Sequence, residues 1–269
     1  MDIAIKVLES SKLYQKVHDQ WQNNPIFKNN IDRVLGSNSK MLMVIYALGS
    51  IESSYRSRFQ LALAILLKRD FSDWIGNIEA YDPIISDTDA KVIQDTTQHK
   101  VMEALGCNVL SVNEECKRQI EKPTLFYMPY GLNEHKGDLL ETNWCPSRLN
   151  QMILLTVGFK HLMGIWRDLD DNPTETTFFR RRPHHTKEYY LIRERVDYIE
   201  AIQKHTVEFA MTKKYQDYEN PLNHFSCHFF NLDQQLDMAS LMPGTLSLSL
   251  SLSLSLMYTH AHILVVLLY

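Results

Sequence analysis

The stretch Met41–Asp70, MLMVIYALGSIESSYRSRFQLALAILLKRD, decides how the chain is read. An apolar run, MLMVIYAL (41–48), ends in Gly49-Ser50, and an amphipathic segment follows. In that segment Phe59, Leu63, Leu66 and Leu67 recur at helical spacing, while Arg56, Lys68 and Arg69 can face water. A buried strand, a glycine turn and a helix make the unit from which parallel sheets are built.

Four more apolar runs repeat the strand signal: NIEAYDPI (77–84), NVLSV (108–112), TLFYMP (124–129) and MILLTV (152–157). The first three gaps hold helical patterns. Ala90, Val92, Ile93, Val101 and Leu105 supply the apolar positions of the second, and EECKRQIEK (114–122) links the third strand to the fourth. Strands alternating with helical segments predict an α/β fold, a Rossmann-like three-layer sandwich with a mostly parallel sheet of about five strands. The core proper is read as 41–158. Residues 1–40 form a helical N-terminal extension, with Leu8, Leu13, Val17 and Trp21 on one surface helix. Residues 159–242 are read as a helical C-terminal part of the same domain. Its main element is a helix over Lys187–Lys214, with Ile192, Val196, Ile199, Ile202 and Phe209 as its stripe. Tyr46, Val44, Leu63, Leu67, Leu125 and Tyr127 are expected in the core.

Residues 243–269 need a separate reading. LSLSLSLSLSL (246–256) has strict period two and fits an amphipathic strand. A CT repeat translated in frame also gives Ser-Leu, so the tail reads more simply as low-complexity sequence outside the fold. The closing ILVVLLY is far short of the ~20 apolar residues that span a bilayer.

Bulk properties exclude several classes. The 269 residues carry 28 Lys and Arg against 32 Asp and Glu, so no basic surplus points to nucleic acid. Cys107, Cys116, Cys145 and Cys227 form no C-x-x-C pair, which argues against a zinc site or disulfide framework and fits a reducing compartment. The N-terminus has Asp2 and no long apolar core, unlike a secretory signal.

A dinucleotide fingerprint requires G-x-G-x-x-G and an acid about 20 residues further on. The turn Ala47-Leu48-Gly49-Ser50 supplies one glycine, and Asp82 comes 33 residues after it. There is no P-loop lysine. Two readings stay open for Gly49-Ser50: an anion held at a helix N-terminus, or a strand exit at Gly49 followed by a helix cap from Ser50 or Ser53. Ligands of open α/β sheets bind outside the carboxyl ends of the strands. That edge would gather Gly49, Ser50, Asp82, Asn113, Glu114 and Tyr130 as the candidate ligand-binding residues. Asp82 could accept hydrogen bonds from a ligand or begin an Asp-Pro turn. Cys145 precedes a short helix, where a thiol can be activated, but packing explains it as well. His184 and His185 after Arg180–Arg182 read as a solvated loop, with a metal or phosphate patch as the alternative for the histidines and a weak nuclear-entry or nucleic-acid signal as the alternative for the arginines. No catalytic set and no metal site can be read, and no cofactor is identified.

YALGSIESSYRSRFQLALAILL, IEAYDPIISDTDAKVI, LGCNVLSVNEECKR, EKPTLFYMP and LLETNWCPSRLNQM, taken in order, resemble the sensitivity-to-red-light-reduced family, close to its plant members. FSCHFF (225–230) is similar to the family's closing S-x-H-F-F. The resemblance implies a regulator of circadian clock input and phytochrome-B red-light signalling, found in cytoplasm and nucleus. Its partners would be signalling proteins, with no direct nucleic-acid or membrane contact. It also implies a link, in the wider family, to regulation of haem biosynthesis, and it carries no established catalytic mechanism. The alternative is a Rossmann-like enzyme or sensor for a nucleotide, haem or another small phosphorylated ligand. The chain departs from the family pattern at several places. Ala47 replaces the first glycine of Y-G-I-G-S. TTQHKVMEA (96–104) is additional, YGLNEHKGD (130–138) lacks a family His and Cys, the family's G-N-S-F after MILLTVGF is altered, and the Ser-Leu tail is foreign.

Overall fold

The computed structural model describes residues 1–82, 97–171, 187–211 and 222–242. The Ser-Leu tail, the Arg180–Arg182 run, His184, His185 and the helix positions Ala90, Val92 and Ile93 lie outside them.

The N-terminal residues fold as three helices, α1 (Asp2–Glu9), α2 (Lys12–Asn23) and α3 (Pro25–Leu35), where the sequence suggested one. The breaks are set by caps. Ser11 accepts the Tyr14 N–H at 3.1 Å, and Asn24 accepts those of Ile26 and Phe27 ahead of Pro25. β1 (Met41–Tyr46) then runs through the core into α4 (Tyr55–Asp70). Leu61, Ala62 and Ala64 of α4 are buried along with Phe59, Leu63, Leu66 and Leu67. The middle turns of the helix are therefore buried nearly all round, because α1 and α2 also pack against it.

β2 (Ile75–Tyr81), α5 (Thr97–Ala104), β3 (Cys107–Val109) and β4 (Thr124–Tyr127) follow. No helix forms between β3 and β4; the predicted third helical gap is a run of turns. Then come α6 (Asn133–Thr142), α7 (Pro146–Leu149), β5 (Met152–Val157) and α8 (Phe159–Asp171). The predicted helix over 187–214 is corrected. α9 (Lys187–Gln203) ends early, and β6 (Thr206–Ala210) and β7 (Phe225–Phe230) complete the sheet. Thr206, Val207 and Phe209 favour a strand, and Phe209 packs edge-on against Phe27 and Phe229 instead of lining a helix.

The sheet thus has seven strands among the described residues, in the order β3-β2-β1-β4-β5-β7-β6. The five predicted strands are mutually parallel, and β7 runs antiparallel to both β5 and β6. Met43, Ile45, Leu125, Tyr127, Ile153 and Leu155 join one core cluster with residues of α1–α4. The alternating Leu42, Val44, Tyr46, Phe126 and Leu154 are buried on the other face. A sheet buried on both sides explains why these strands read as continuous apolar runs. All six expected core residues are buried.

The segment from Asp237 onward clusters separately. Its described part is one 3-10 turn, Met238–Leu241, capped by Asp237, which accepts the Ala239 N–H at 3.0 Å.

Candidate functional site

Strand order reverses at β1, which lies between β2 and β4. Ligands of open α/β sheets bind at such a switch point, outside the carboxyl ends of the strands. Three of the six candidate residues meet there. The Gly49 N–H donates to Asp82 Oδ2 at 2.8 Å, and the Tyr130 N–H donates to the Ala47 carbonyl at 3.1 Å. The Tyr130 ring lies 3.8 Å from where a Gly49 Cβ would stand. Gly49 has φ +75°, so glycine is needed there for the backbone as well as for space. Asp82 sits just past the end of β2, the place from which an acid reads a ribose in dinucleotide-binding domains. Sequence spacing hid this, since the 16 residues of α4 and the turns around it lengthen the path from β1 to β2.

Ser50 closes a local turn by accepting the Ser53 N–H at 3.1 Å, while Ser54 caps α4 through the Ser57 N–H. Asn113 is held in its own loop, where its side chain accepts the Glu115 N–H at 2.8 Å. Glu114 turns toward β1 and β2. It accepts the Tyr46 hydroxyl and a fork from Arg118, whose third nitrogen donates to Glu79 at 2.6 Å. Burial and the Glu114 hydrogen bond push the Tyr46 hydroxyl pKa well above its usual range. The quartet Tyr46, Glu79, Glu114 and Arg118 therefore ties the loop after β3 to the strands. Only the Glu114–Arg118 spacing of four hinted at it in the sequence.

Other polar groups were missed. Lys136 is buried, with Nζ donating to the Gly131 and Leu132 carbonyls, and burial lowers its pKa to about 8. His228 is fully buried. Its Nε2 accepts the Phe159 N–H at 3.2 Å, so Nδ1 carries the proton and donates to the Leu154 carbonyl at 2.8 Å. Glu208 accepts the Ser226 hydroxyl at 2.9 Å and the Lys160 N–H at 3.3 Å. Together His228 and Glu208 cap the start of α8. Cys145 is half-buried and in contact with the Ser147 hydroxyl at 3.4 Å. Among the described residues no three His, Cys, Asp or Glu side chains are placed to hold a metal ion, and no helix is long and apolar enough to cross a membrane.

The profile of the SRR1 domain matches residues 17–229. The chain belongs to the SRR1 domain family. It is 36% identical over 241 residues to the protein SENSITIVITY TO RED LIGHT REDUCED 1 of Arabidopsis thaliana, covering 88% of this chain and 76% of that one. It is also 32% identical over 127 residues to an SRR1-like protein of Mus musculus, and this match spans about half of each chain, 47%. Among solved structures it is similar to the 23S rRNA methyltransferase ErmE, with a TM-score of 0.37 and 10% identity over 80% of this chain and 72% of that one. The fold is set by the strand order itself.

The SRR1-type motifs acquire physical meanings in this frame. Ala47 has φ +54°, a left-handed backbone, at the place where the family pattern carries glycine. Asn143, in the N-W run, is fully buried and bonds the Ile120 N–H and the Arg118 and Leu139 carbonyls, fixing the loop before β4. Residues 97–104 of the additional stretch are built into the fold as α5: Met102 is buried, and Gln98 accepts the Ile51 N–H at 3.0 Å.

Proposed function

We propose that this SRR1-domain chain is a regulator of light input to the circadian clock. It acts in phytochrome-B red-light signalling, through protein partners, in the cytoplasm and nucleus. The observation that carries this reading is the 36% identity, across 88% of the chain, to a protein whose name records reduced sensitivity to red light. The test is expression of this chain in Arabidopsis plants lacking their own relative. Restored shortening of the hypocotyl in red light and a restored rhythm period are expected. Accumulation of the protein with neither restored removes the proposal.

A second reading is supported by the backbone. Ala47, Glu115 and Cys116 all have positive φ; Ala47 leads from β1 into Gly49, and Glu115 and Cys116 follow Glu114, which accepts the Tyr46 hydroxyl. Such conformations cost about 1–3 kcal/mol each and cluster at ligand sites. On this reading the edge holds a nucleoside-bearing or otherwise phosphorylated small molecule, with Asp82 facing its ribose.

A further inference from the structure

At the opposite end of the sheet, where α4 ends and β2 begins, a cavity of about 140 Å³ opens among α2, α3 and the turn after α4. Its size suits one side chain, since sites for drug-sized ligands run to roughly 300–1,000 Å³. Three rings make its wall. Trp21, Phe71 and Trp74 stand with centroids 5.4–5.5 Å apart, Trp21 and Phe71 buried and Trp74 half-buried. The charges around it are unbalanced. Asp70 is already bound by Arg69 and by the Tyr14 hydroxyl, each at 2.6 Å, and is set aside. Asp32 and Asp73 remain, both exposed, against Lys28 as the one cation among the described lining residues. The carboxyl end of α4 adds partial negative charge at the same place.

An aromatic wall beside carboxylates and a helix C-terminus selects a flat cation, because a guanidinium stacks on ring faces and gives carboxylates a planar set of donors. We propose that this cavity is a docking site for an arginine side chain presented by an extended segment of a partner protein. The guanidinium lies against the half-buried Trp74, whose ring backs onto the buried Trp21, and donates to Asp32 and Asp73. The site is separate from the strand edge and does not depend on any ligand there.

The test uses the full chain labelled with nitrogen-15, observing the indole N–H signals of Trp21 and Trp74, with Trp144 and Trp166 as internal references. The probes are the capped peptide acetyl-Gly-Arg-Gly-amide, the same peptide with neutral citrulline, and free arginine. The arginine peptide should shift the Trp21 and Trp74 signals saturably, and citrulline should bind at least tenfold more weakly. Asp32→Asn with Asp73→Asn, both at the surface, should weaken binding tenfold or more, while Lys28→Gln should tighten it several-fold. The proposal fails if the arginine peptide gives no saturable shift, if citrulline binds equally, or if the double variant binds unchanged. Free arginine binding as tightly as the capped peptide overturns the partner-protein assignment in favour of a small metabolite.

Discussion

At the scale of single residues, His228 is the group whose environment has the clearest consequence. Burial pushes its pKa down to about 4, and the nearby Glu208 carboxylate, 3.9 Å away, only partly opposes this. The hydrogen bonds agree, because an imidazole accepting from Phe159 and donating to Leu154 is neutral. Its folded pKa lies below the unfolded value of about 6.5. Between those two values the unfolded chain binds the extra proton, so stability is fully present above about pH 6.5 and falls as pH drops toward 4. One site contributes at most about 1.4 kcal/mol per pH unit. Urea unfolding at pH 7, 6, 5 and 4.5 should show this loss, and His228→Gln should give a shallower pH slope than the native chain. Equal slopes would mean that His228 takes up its proton in the folded state as readily as in the unfolded one. The sequence offered S-x-H-F-F as a resemblance but no hint that the histidine caps a helix, since its partners Phe159 and Leu154 are 69 and 74 residues away.

At the scale of elements, legibility followed the periodicity of the residues. β5 was read with its correct bounds, and β1, β2, β3 and β4 to within a few residues, because each is a buried apolar run in a parallel sheet. β6 was absorbed into a helix because Phe209 continues the 3.6-residue stripe of Val196, Ile199 and Ile202. Only its pairing with β7 reveals a strand. The crossing of α6 and α9 left no periodic signature at all. It depends on Gly137, where a Cβ would stand 2.5 Å from Arg195 Cβ and 2.6 Å from the Arg195 carbonyl oxygen. The close approach lets Arg195 reach Asp138 and Glu141, both at 2.8 Å. Gly137→Ala must push the two helices apart, and it should destabilise the protein by ~1–3 kcal/mol despite alanine's better helix propensity. Chemical denaturation measures this directly; a stabilised variant would show that the helices can separate without cost.

At the scale of the whole molecule, the sheet order assembles the candidate edge from segments that are distant in sequence. The turn after β1, the end of β2 and the loop after β4 meet only because β1 lies between β2 and β4. That is why the sequence could nominate Gly49, Asp82 and Tyr130 by the strand-end rule, yet could not show that Asp82 bonds the Gly49 amide or that Asn113 stays in its own turn. A ligand held at this switch point binds the folded chain alone, so it stabilises by mass action: ~2.7 kcal/mol when present at 100 times its dissociation constant. For a chain of this size, 1 kcal/mol moves the melting temperature by roughly 2–4 °C, so the shift should be about 5–10 °C. A thermal screen of nucleotides, nicotinamide cofactors, S-adenosylmethionine and haem is therefore sensitive enough to find such a ligand. If the second reading holds, one nucleoside-bearing compound should give a shift of this size. Asp82→Asn, which keeps an acceptor for the Gly49 N–H but removes the charge facing a ribose, should diminish it. If no compound shifts the melting temperature, the left-handed residues at the edge serve only to turn the chain, and the regulatory reading stands without a ligand.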